Sequence, residues 1–407
     1  MVVCSFIVVT SAASQPQWLV PARLGGFPEW LRGPLSGAGY VLPPDRFGIV
    51  FLAMTACYLV ALATAPALSA RLVLGSIVAL HALFLLGPPL ISSDVFGYLD
   101  WARMGALHGL NPYVTDSGAV VSDPVYGFVR WESLTSPYGP LFTLGTYALV
   151  PLGLPASYWA LKLLTVGASL GCVALIWRCA EALALPPKPA VLLYGLNPAV
   201  LLYTVGGFHN DALMMLAVMA SIHLVVTARE RAGAVMGAAA VAIKSSAGLV
   251  MPFMLIGVRE RRRWLVAALG AGVVVVAVAL IAFGPSALDF LNVLGTQQKL
   301  NSGSSVPAQL GAWLGWTGSP TGVRIVFSTL GVSAIVFCLV RAARGADWIT
   351  SAGWATLSLL VTTSWLLAWY IVWLVPLAAL SRSRALRLGA VAMTLFVIFV
   401  RVFPIYD

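Results

Sequence analysis

The chain carries few polar clusters, and each sits in an apolar setting. Ile91-Ser92-Ser93-Asp94-Val95-Phe96-Gly97-Tyr98 follows directly on a run ending in Gly87-Pro88-Pro89-Leu90. Asp94 is therefore placed at the outer end of a helix. Partial desolvation there raises a carboxyl pKa and makes the carboxylate a better general base. If 93–108 is helical, Asp94, Tyr98 and Ala102 share one face while Asp100 points elsewhere. Arg103 lies in the same segment and has the charge to meet an anion. The alternative duty for Asp94 is to cap that helix, which is compatible with catalysis.

The densest polar group is Gly206-Gly207-Phe208-His209-Asn210-Asp211. The glycines make a turn that presents His209, Asn210 and Asp211 at the start of the next helix. Asp211 is favoured there by the helix dipole and is a second possible base. Ionisable groups next to lipid are functional by default. Lys244, inside an apolar stretch, needs an anionic partner or a water-filled cavity. Lys299 stands in a loop with Gln297, Gln298, Asn301 and Ser302. It could meet phosphate or sugar hydroxyls, or be solvated. Trp131 and Tyr138 flank a proline-rich turn, and Trp365, Trp369, Tyr370 and Trp373 recur at near-helical spacing. Such aromatics anchor helices at the interface or fill a core, and their apolar faces also stack on sugar rings. His81 and His223 stand alone in apolar runs and read as hydrogen-bonded packing residues.

The elements that position these groups are membrane helices. Of 407 residues, 60% are hydrophobic and 9% charged, against about a quarter charged in a soluble domain. Mean hydropathy is +0.93. Apolar runs occupy 47–66, 72–90, 156–178, 189–205, 211–228, 264–283, 322–341, 348–362, 364–380 and 387–403, with a weaker run at 140–154. About 20 apolar residues cross a hydrocarbon core. This excludes a soluble enzyme with one anchor and a disordered chain. The ten-residue alternation of a membrane barrel is missing as well. Met1–Ala13 is apolar but too short to span; it reads as the tail of a first helix, with a signal-like segment as the alternative.

The net charge of +10 is a topology signal, since the basic residues cluster between apolar runs instead of forming a nucleic-acid face. Arg178 with Lys188, Arg229 with Arg231, Arg259–Arg263, Arg341 with Arg344, and Arg382, Arg384 and Arg387 mark cytoplasmic ends. Segments 91–155, 206–210, 284–321 and 362–365 then face outward. Residues 232–257 lie between two basic clusters and must start and finish inside. Two half-helices meeting near Lys244-Ser245-Ser246 satisfy that, and a single long span is the alternative. The five cysteines show no metal or disulfide spacing and read as packing residues. No internal repeat is visible, and the chain reads as one domain, 1–407, with a large outward loop at 91–155.

Ser93-Asp94-Val95-Phe96-Gly97-Tyr98 followed by Gly109-Leu110-Asn111-Pro112-Tyr113 resembles actinobacterial α-(1→6)-mannosyltransferases that use polyprenol-phosphate mannose. So do Pro137-Tyr138-Gly139-Pro140-Leu141-Phe142, Leu196-Asn197-Pro198 leading to Gly206–Asp211, and Trp369-Tyr370. The match runs in order from about residue 20 to the end. Ala368 stands where the pattern has proline, and the N-terminus is shorter than is usual in the family. The resemblance implies an all-α, polytopic membrane bundle of the GT-C class, with about 11–13 transmembrane or re-entrant helices. It also implies a short helix in the first large extracytoplasmic loop bearing the catalytic carboxylate, Asp94.

On that reading Asp94 deprotonates an acceptor hydroxyl, which displaces lipid phosphate with inversion and leaves an α-linked product. Tyr98, Arg103, Tyr138, His209, Asn210, Lys244, Lys299, Trp369 and Tyr370 bind substrate, and Asp211 is the rival base. The donor is polyprenol-phosphate mannose, and the acceptor is a growing mannan or glycolipid. The site is on the extracytoplasmic face of the plasma membrane. A divalent metal is compatible with the class, but no ligand cluster calls for one. The competing class is a transporter or flippase of lipid-linked sugars. Against it stand the missing repeat and the placement of polar groups at one surface instead of the midplane.

Overall fold

The computed structural model describes residues 1–15, 27–39, 41–289, 300–316 and 319–402, the side chains of Pro44 and Arg401 aside. All regular structure among them is helical. In chain order the helices are α1 (Val2–Ser14), α2 (Glu29–Arg32), α3 (Phe47–Ala63), α4 (Ala70–Leu85), α5 (Asp94–His108), α6 (Pro140–Tyr147), α7 (Leu154–Ala182), α8 (Pro187–Gly195) and α9 (Asp211–Val226). They continue with α10 (Glu230–Ile243), α11 (Met251–Gly257), α12 (Arg261–Phe283), α13 (Val306–Trp313), α14 (Thr321–Ala343), α15 (Trp348–Thr362), α16 (Ile371–Ala379) and α17 (Arg384–Val402).

Among the described residues three helices are long and apolar enough to cross a membrane by themselves: α7, α12 with its 3-10 extension to Leu288, and α14. The last two are barely buried against protein. Val273, Ile281, Val332 and Phe337 on them are more than half exposed. Water would penalise such a surface, whereas lipid does not. The other apolar helices are shorter because the sequence breaks them. Run 189–205 is not one helix. It stops at Gly195, Asn197 caps the next turn by accepting the N–H groups of Ala199 and Val200, and Pro198 supplies no donor. A π-helical turn, Val200–Val205, follows. Run 364–380 likewise divides into a 3-10 turn, Ala368–Tyr370, and α16.

Segment 232–257 is broken where its polar residues stand. α10 ends at Ile243, Lys244 is extended, Ser245–Leu249 forms a 3-10 turn, and α11 returns. The Glu230 carboxylate accepts the backbone N–H groups of Arg259 (2.7 Å) and Glu260 (3.0 Å). The segment therefore begins and finishes at one end of the bundle, and the re-entrant pair is the arrangement formed. Another basic turn closes similarly, with Arg382 donating to the Leu183 carbonyl.

Two large apolar clusters hold the chain. The larger joins residues of α1, α3, α4, α7, α8, α9, α16 and α17. The second is aromatic and lies under the 91–155 loop, where Phe96 stacks on Phe128 (4.8 Å) and on Tyr158, which meets Phe208. His81 is satisfied in the core by the Ile77 carbonyl and Ser169 (both 2.8 Å). His223 differs from expectation, because its Nδ1 is buried without a hydrogen-bond partner. All five cysteines are free.

Candidate active site

Tandem prolines, Pro88 and Pro89, end the helical path of α4. The turn that follows is stitched to the Gly206 turn by Leu90 N–H to the Gly206 carbonyl (2.8 Å). Ile91 and Phe208 both adopt positive φ, near 60° and 57°, a conformation that side chains with a Cβ rarely take. Behind this junction Lys162 of α7 is buried. Its Nζ donates to the Gly87 carbonyl and sits 4.2 Å from the Phe208 ring centroid. Lys162 was not legible in the sequence as special, since one lysine in a long apolar run gives no sign of which face it occupies. The stitched turns deliver Asp94 as the first residue of α5 and His209 beside it.

Asp94 and the residues three and seven further on, Gly97 and Trp101, line a cavity of about 150 Å³. The i, i+4 spacing predicts Tyr98 on the same face as Asp94. The cavity instead uses the neighbouring face, and Tyr98 lies behind the wall. There its hydroxyl accepts the Asn210 N–H (3.4 Å) and its ring meets Tyr138 edge-on. Tyr138, Lys244, Trp369 and Tyr370 line the cavity as expected from their types. Trp131, Arg130, Trp365 and Trp373 also line it. The sequence showed these aromatics, but could not separate a cleft from a membrane belt.

Lys244 is tied to Asp211, with Nζ to Oδ2 at 2.7 Å. The other carboxylate oxygen of Asp211 accepts the Trp373 indole N–H at 2.6 Å. Asp211 is fully buried, and both its oxygens are engaged. The ammonium of Lys244 also lies 5.5 Å from the Tyr370 ring centroid and 5.6 Å from that of Tyr138, close enough for cation–π attraction. Its position depends on Gly139, whose N–H donates to the Ile243 carbonyl (3.1 Å) and whose Cα lies against the Ala242 backbone.

His209 stacks on Trp369 with centroids 3.7 Å apart and planes at 14°. Its Nδ1 is 3.4 Å from Asp94 Oδ2. Neither ring nitrogen of His209, nor either amide atom of Asn210, has a partner in hydrogen-bond geometry. Both residues, with Asp211, form the layer behind the cavity wall instead of the lining expected of them. Burial, with Lys244 nearby, holds the His209 imidazole well below its ordinary pKa, so it is neutral.

α5 and its turn lie outside the membrane spans, and burial there pushes the Asp94 carboxyl up to about 6. Lys244, the Trp131 indole and Ser92 pull it down, while the Asp211 charge adds to the rise. A carboxyl with that pKa is a base near neutral pH.

Arg103 is not brought to the cavity. Its Nε binds Asp123 Oδ1 at 2.8 Å, and His108 Nε2 takes the other oxygen at 2.9 Å. This triad braces the loop after α5, so the expected anion contact of Arg103 is replaced by an internal ion pair. Lys299 lies outside the described residues. Among the described residues no three His, Cys, Asp or Glu side chains converge as a metal centre requires.

The chain was compared with known proteins. A family model described as alpha-(1→6)-mannopyranosyltransferase, N-terminal domain, matches residues 6–260. The model of glycosyltransferase family 87 matches residues 137–404. Alpha-(1→6)-mannopyranosyltransferase A of Mycobacterium tuberculosis is 30% identical over 348 residues, 76% of this chain and 65% of that relative. Its namesake in Corynebacterium glutamicum is 30% identical over 202 residues, 47% of this chain and 40% of that relative. The chain thus spans less than two thirds of the length of either. No solved structure matches it.

Proposed function

The chain belongs to the alpha-(1→6)-mannopyranosyltransferase family, and from that premise we propose that its cavity transfers a mannosyl residue from polyprenol-phosphate mannose to a hydroxyl of a mannan or glycolipid acceptor. The observation that carries this reading is the setting of Asp94. Its carboxylate stands at the wall of an aromatic cavity, with burial raising its pKa to about 6 and a neutral imidazole beside it. Asp211, the rival base, has both oxygens held by Lys244 and Trp373, which leaves Asp94 as the base in this reading.

In the proposed step Asp94 takes the proton of an acceptor hydroxyl. The oxygen attacks the anomeric carbon as the bond to lipid phosphate breaks, and the phosphate leaves as an anion. A phosphate leaving group needs no proton from an acid, unlike the alkoxide released in glycoside hydrolysis. One carboxylate therefore suffices, and attack opposite the leaving group inverts the centre. Lys244 in the wall supplies positive charge that favours bond breaking. The polyprenyl tail would lie in lipid against the exposed apolar helices. The site would face the side opposite the basic turns, on the outer face of the plasma membrane.

The test is mannosyl transfer in membranes bearing wild type or Asp94→Asn, with radiolabelled polyprenol-phosphate mannose and a short α-mannoside. Transfer by wild type that is lost in Asp94→Asn, at equal expression, upholds the reading. Equal transfer by both removes Asp94 from the chemistry. Absence of transfer by wild type, with uptake or flipping of the lipid-linked sugar, would favour the transporter alternative.

A further inference from the structure

We propose that the Trp131 ring, backed by Trp365 and Arg130, is the platform on which the acceptor sugar stacks, while the donor sugar takes the inner cavity. The inference rests on the transfer reading above and adds to it where each sugar binds.

Size is the first argument. The cavity is about 150 Å³, close to an engineered apolar cavity of ~150 Å³ that takes one six-membered ring. Sites for larger ligands run to ~300–1,000 Å³. One sugar ring matches this volume, and the cavity is open at its rim, where a second ring can lie.

Geometry is the second argument. Trp131 lines the cavity and is 38% exposed, so it belongs to inside and outside at once. Its indole lies close enough to Asp94 to pull the carboxyl's pKa down. Trp365 meets it edge-on, with centroids 6.4 Å apart and planes at 73°. An interfacial anchor turns its ring to lipid, whereas both of these rings line the cavity. The platform is fixed from behind. Ser117 N–H donates to the Glu132 carbonyl (3.0 Å), Ser302 N–H donates to the Ser364 carbonyl (2.9 Å), and Trp365 N–H donates to Thr363 Oγ1 (3.2 Å). Rigid aromatic surface loses little entropy on binding.

Chemistry is the third argument. Arg130 is exposed, 5.8 Å from the Trp131 centroid, with no carboxylate partner among the described residues. It lies over the indole, where its guanidinium donors would stand beside the hydroxyls of a sugar on the platform. A hexose lying on Trp131 would carry its exocyclic primary hydroxyl oxygen two bonds outside the ring, one bond further than a ring hydroxyl and within longer reach of Asp94. The attacking oxygen could then reach the base while the ring stays on the indole. A ring hydroxyl has no such extension. The platform thus supplies a physical basis for preferring a primary hydroxyl.

The experiment measures KM for a short α-(1→6)-mannoside and for polyprenol-phosphate mannose with the full chain in nanodiscs. The proteins compared are wild type, Trp131→Phe, Trp131→Ala and Trp365→Ala. Acceptor KM is expected to rise about tenfold in Trp131→Ala, the scale of one lost ring contact, to recover largely in Trp131→Phe, and to rise less in Trp365→Ala. Donor KM should stay within about twofold. An unchanged acceptor KM, or donor KM rising in step with it, overturns the platform. Binding of α-(1→6)-mannobiose, followed by saturation-transfer NMR, separates this inference from the transfer reading. If wild type transfers nothing, transfer is the reading that fails. The platform then stands if wild type binds mannobiose and Trp131→Ala does not, and it falls if both bind alike or neither binds.

Discussion

The Nδ1 atom of His209 lies 3.4 Å from the Oδ2 atom of Asp94, although 115 positions separate them in the chain. The imidazole is pinned face to face on Trp369 and is neutral. It offers the carboxylate a polar neighbour but no compensating charge. Burial therefore dominates, and Asp94 keeps a raised pKa.

That pKa sets the pH dependence. With the Asp94 carboxyl at about 6, transfer at subsaturating substrate should be level above pH ~7 and fall about tenfold per pH unit well below 6. The profile of kcat/KM against pH checks this. A midpoint near the ordinary carboxylate value would separate Asp94 from the base role.

The same shift has a stability consequence of opposite sign to the usual one. Between its ordinary value of 3.8 and about 6, the folded state binds the Asp94 proton more tightly than the unfolded state does. Stability on this account falls as pH rises through that window and is level above it. Asp94→Asn removes the buried charge. It should be more stable than wild type at pH 7.5, by up to about 3 kcal/mol at about 1.36 kcal/mol per pKa unit, and equal to it near pH 4. Thermal unfolding in detergent at both pH values is the measurement. A variant both inactive and more stable would mark a site whose function works against stability.

The Asp211–Lys244 pair predicts an asymmetric mutant cycle. Lys244→Met leaves a fully buried carboxylate without its cation, a loss of about 3–5 kcal/mol. Asp211→Asn retains a hydrogen-bonding side chain and frees a lysine that lines the cavity, so it should cost less. The double variant should recover much of the loss. Denaturant unfolding of the three proteins tests this, and simple additivity of the two losses would show that the pair is not coupled.

Gly139 gives a packing prediction. A Cβ there would run into the carbonyl of Ala242, one residue before Ile243, which accepts the Gly139 N–H. Both atoms are backbone and cannot swing aside. Gly139→Ala should force the loop away from the break in the re-entrant pair and displace Lys244. Lower expression and loss of transfer are expected, while Gly145→Ala, with open space around its Cα, serves as the tolerated control.

Arg103 is expected to act on the loop and not on the donor. Burial pulls the Asp123 carboxyl up, but Arg103, His108 and the Val125 N–H together hold it below its ordinary value. The ion-paired form therefore adds stability above the unfolded pKa, and that stability is lost as pH falls through the lowered folded value. Arg103→Ala should unfold at lower temperature at pH 7, with donor KM unchanged at a temperature where it is folded. A rise in donor KM alone would return Arg103 to the phosphate.

Much of this molecule is set locally and could be read in one dimension. Apolar run length, basic clusters and proline pairs determine that the chain is a bundle of membrane helices. They also fix where the helices stop and which turns lie at the same end. The break at Lys244-Ser245-Ser246 was readable because charge on both flanks constrained it. The family motifs marked Asp94, Tyr138, Trp369 and Tyr370, and a lone charge in an apolar stretch marked Lys244; these five meet at one cavity. The structure alone decided which face of α5 is used, because i, i+3, i+7 and i, i+4, i+8 faces are equally regular in sequence and only packing chooses between them. It alone paired Asp211 with Lys244, drew Arg103 to Asp123, buried Lys162 behind the junction, and turned Trp131 and Trp365 toward each other. Those outcomes depend on which distant groups approach within a few ångströms. In a low-dielectric interior that distance decides whether a charge is engaged or free to act.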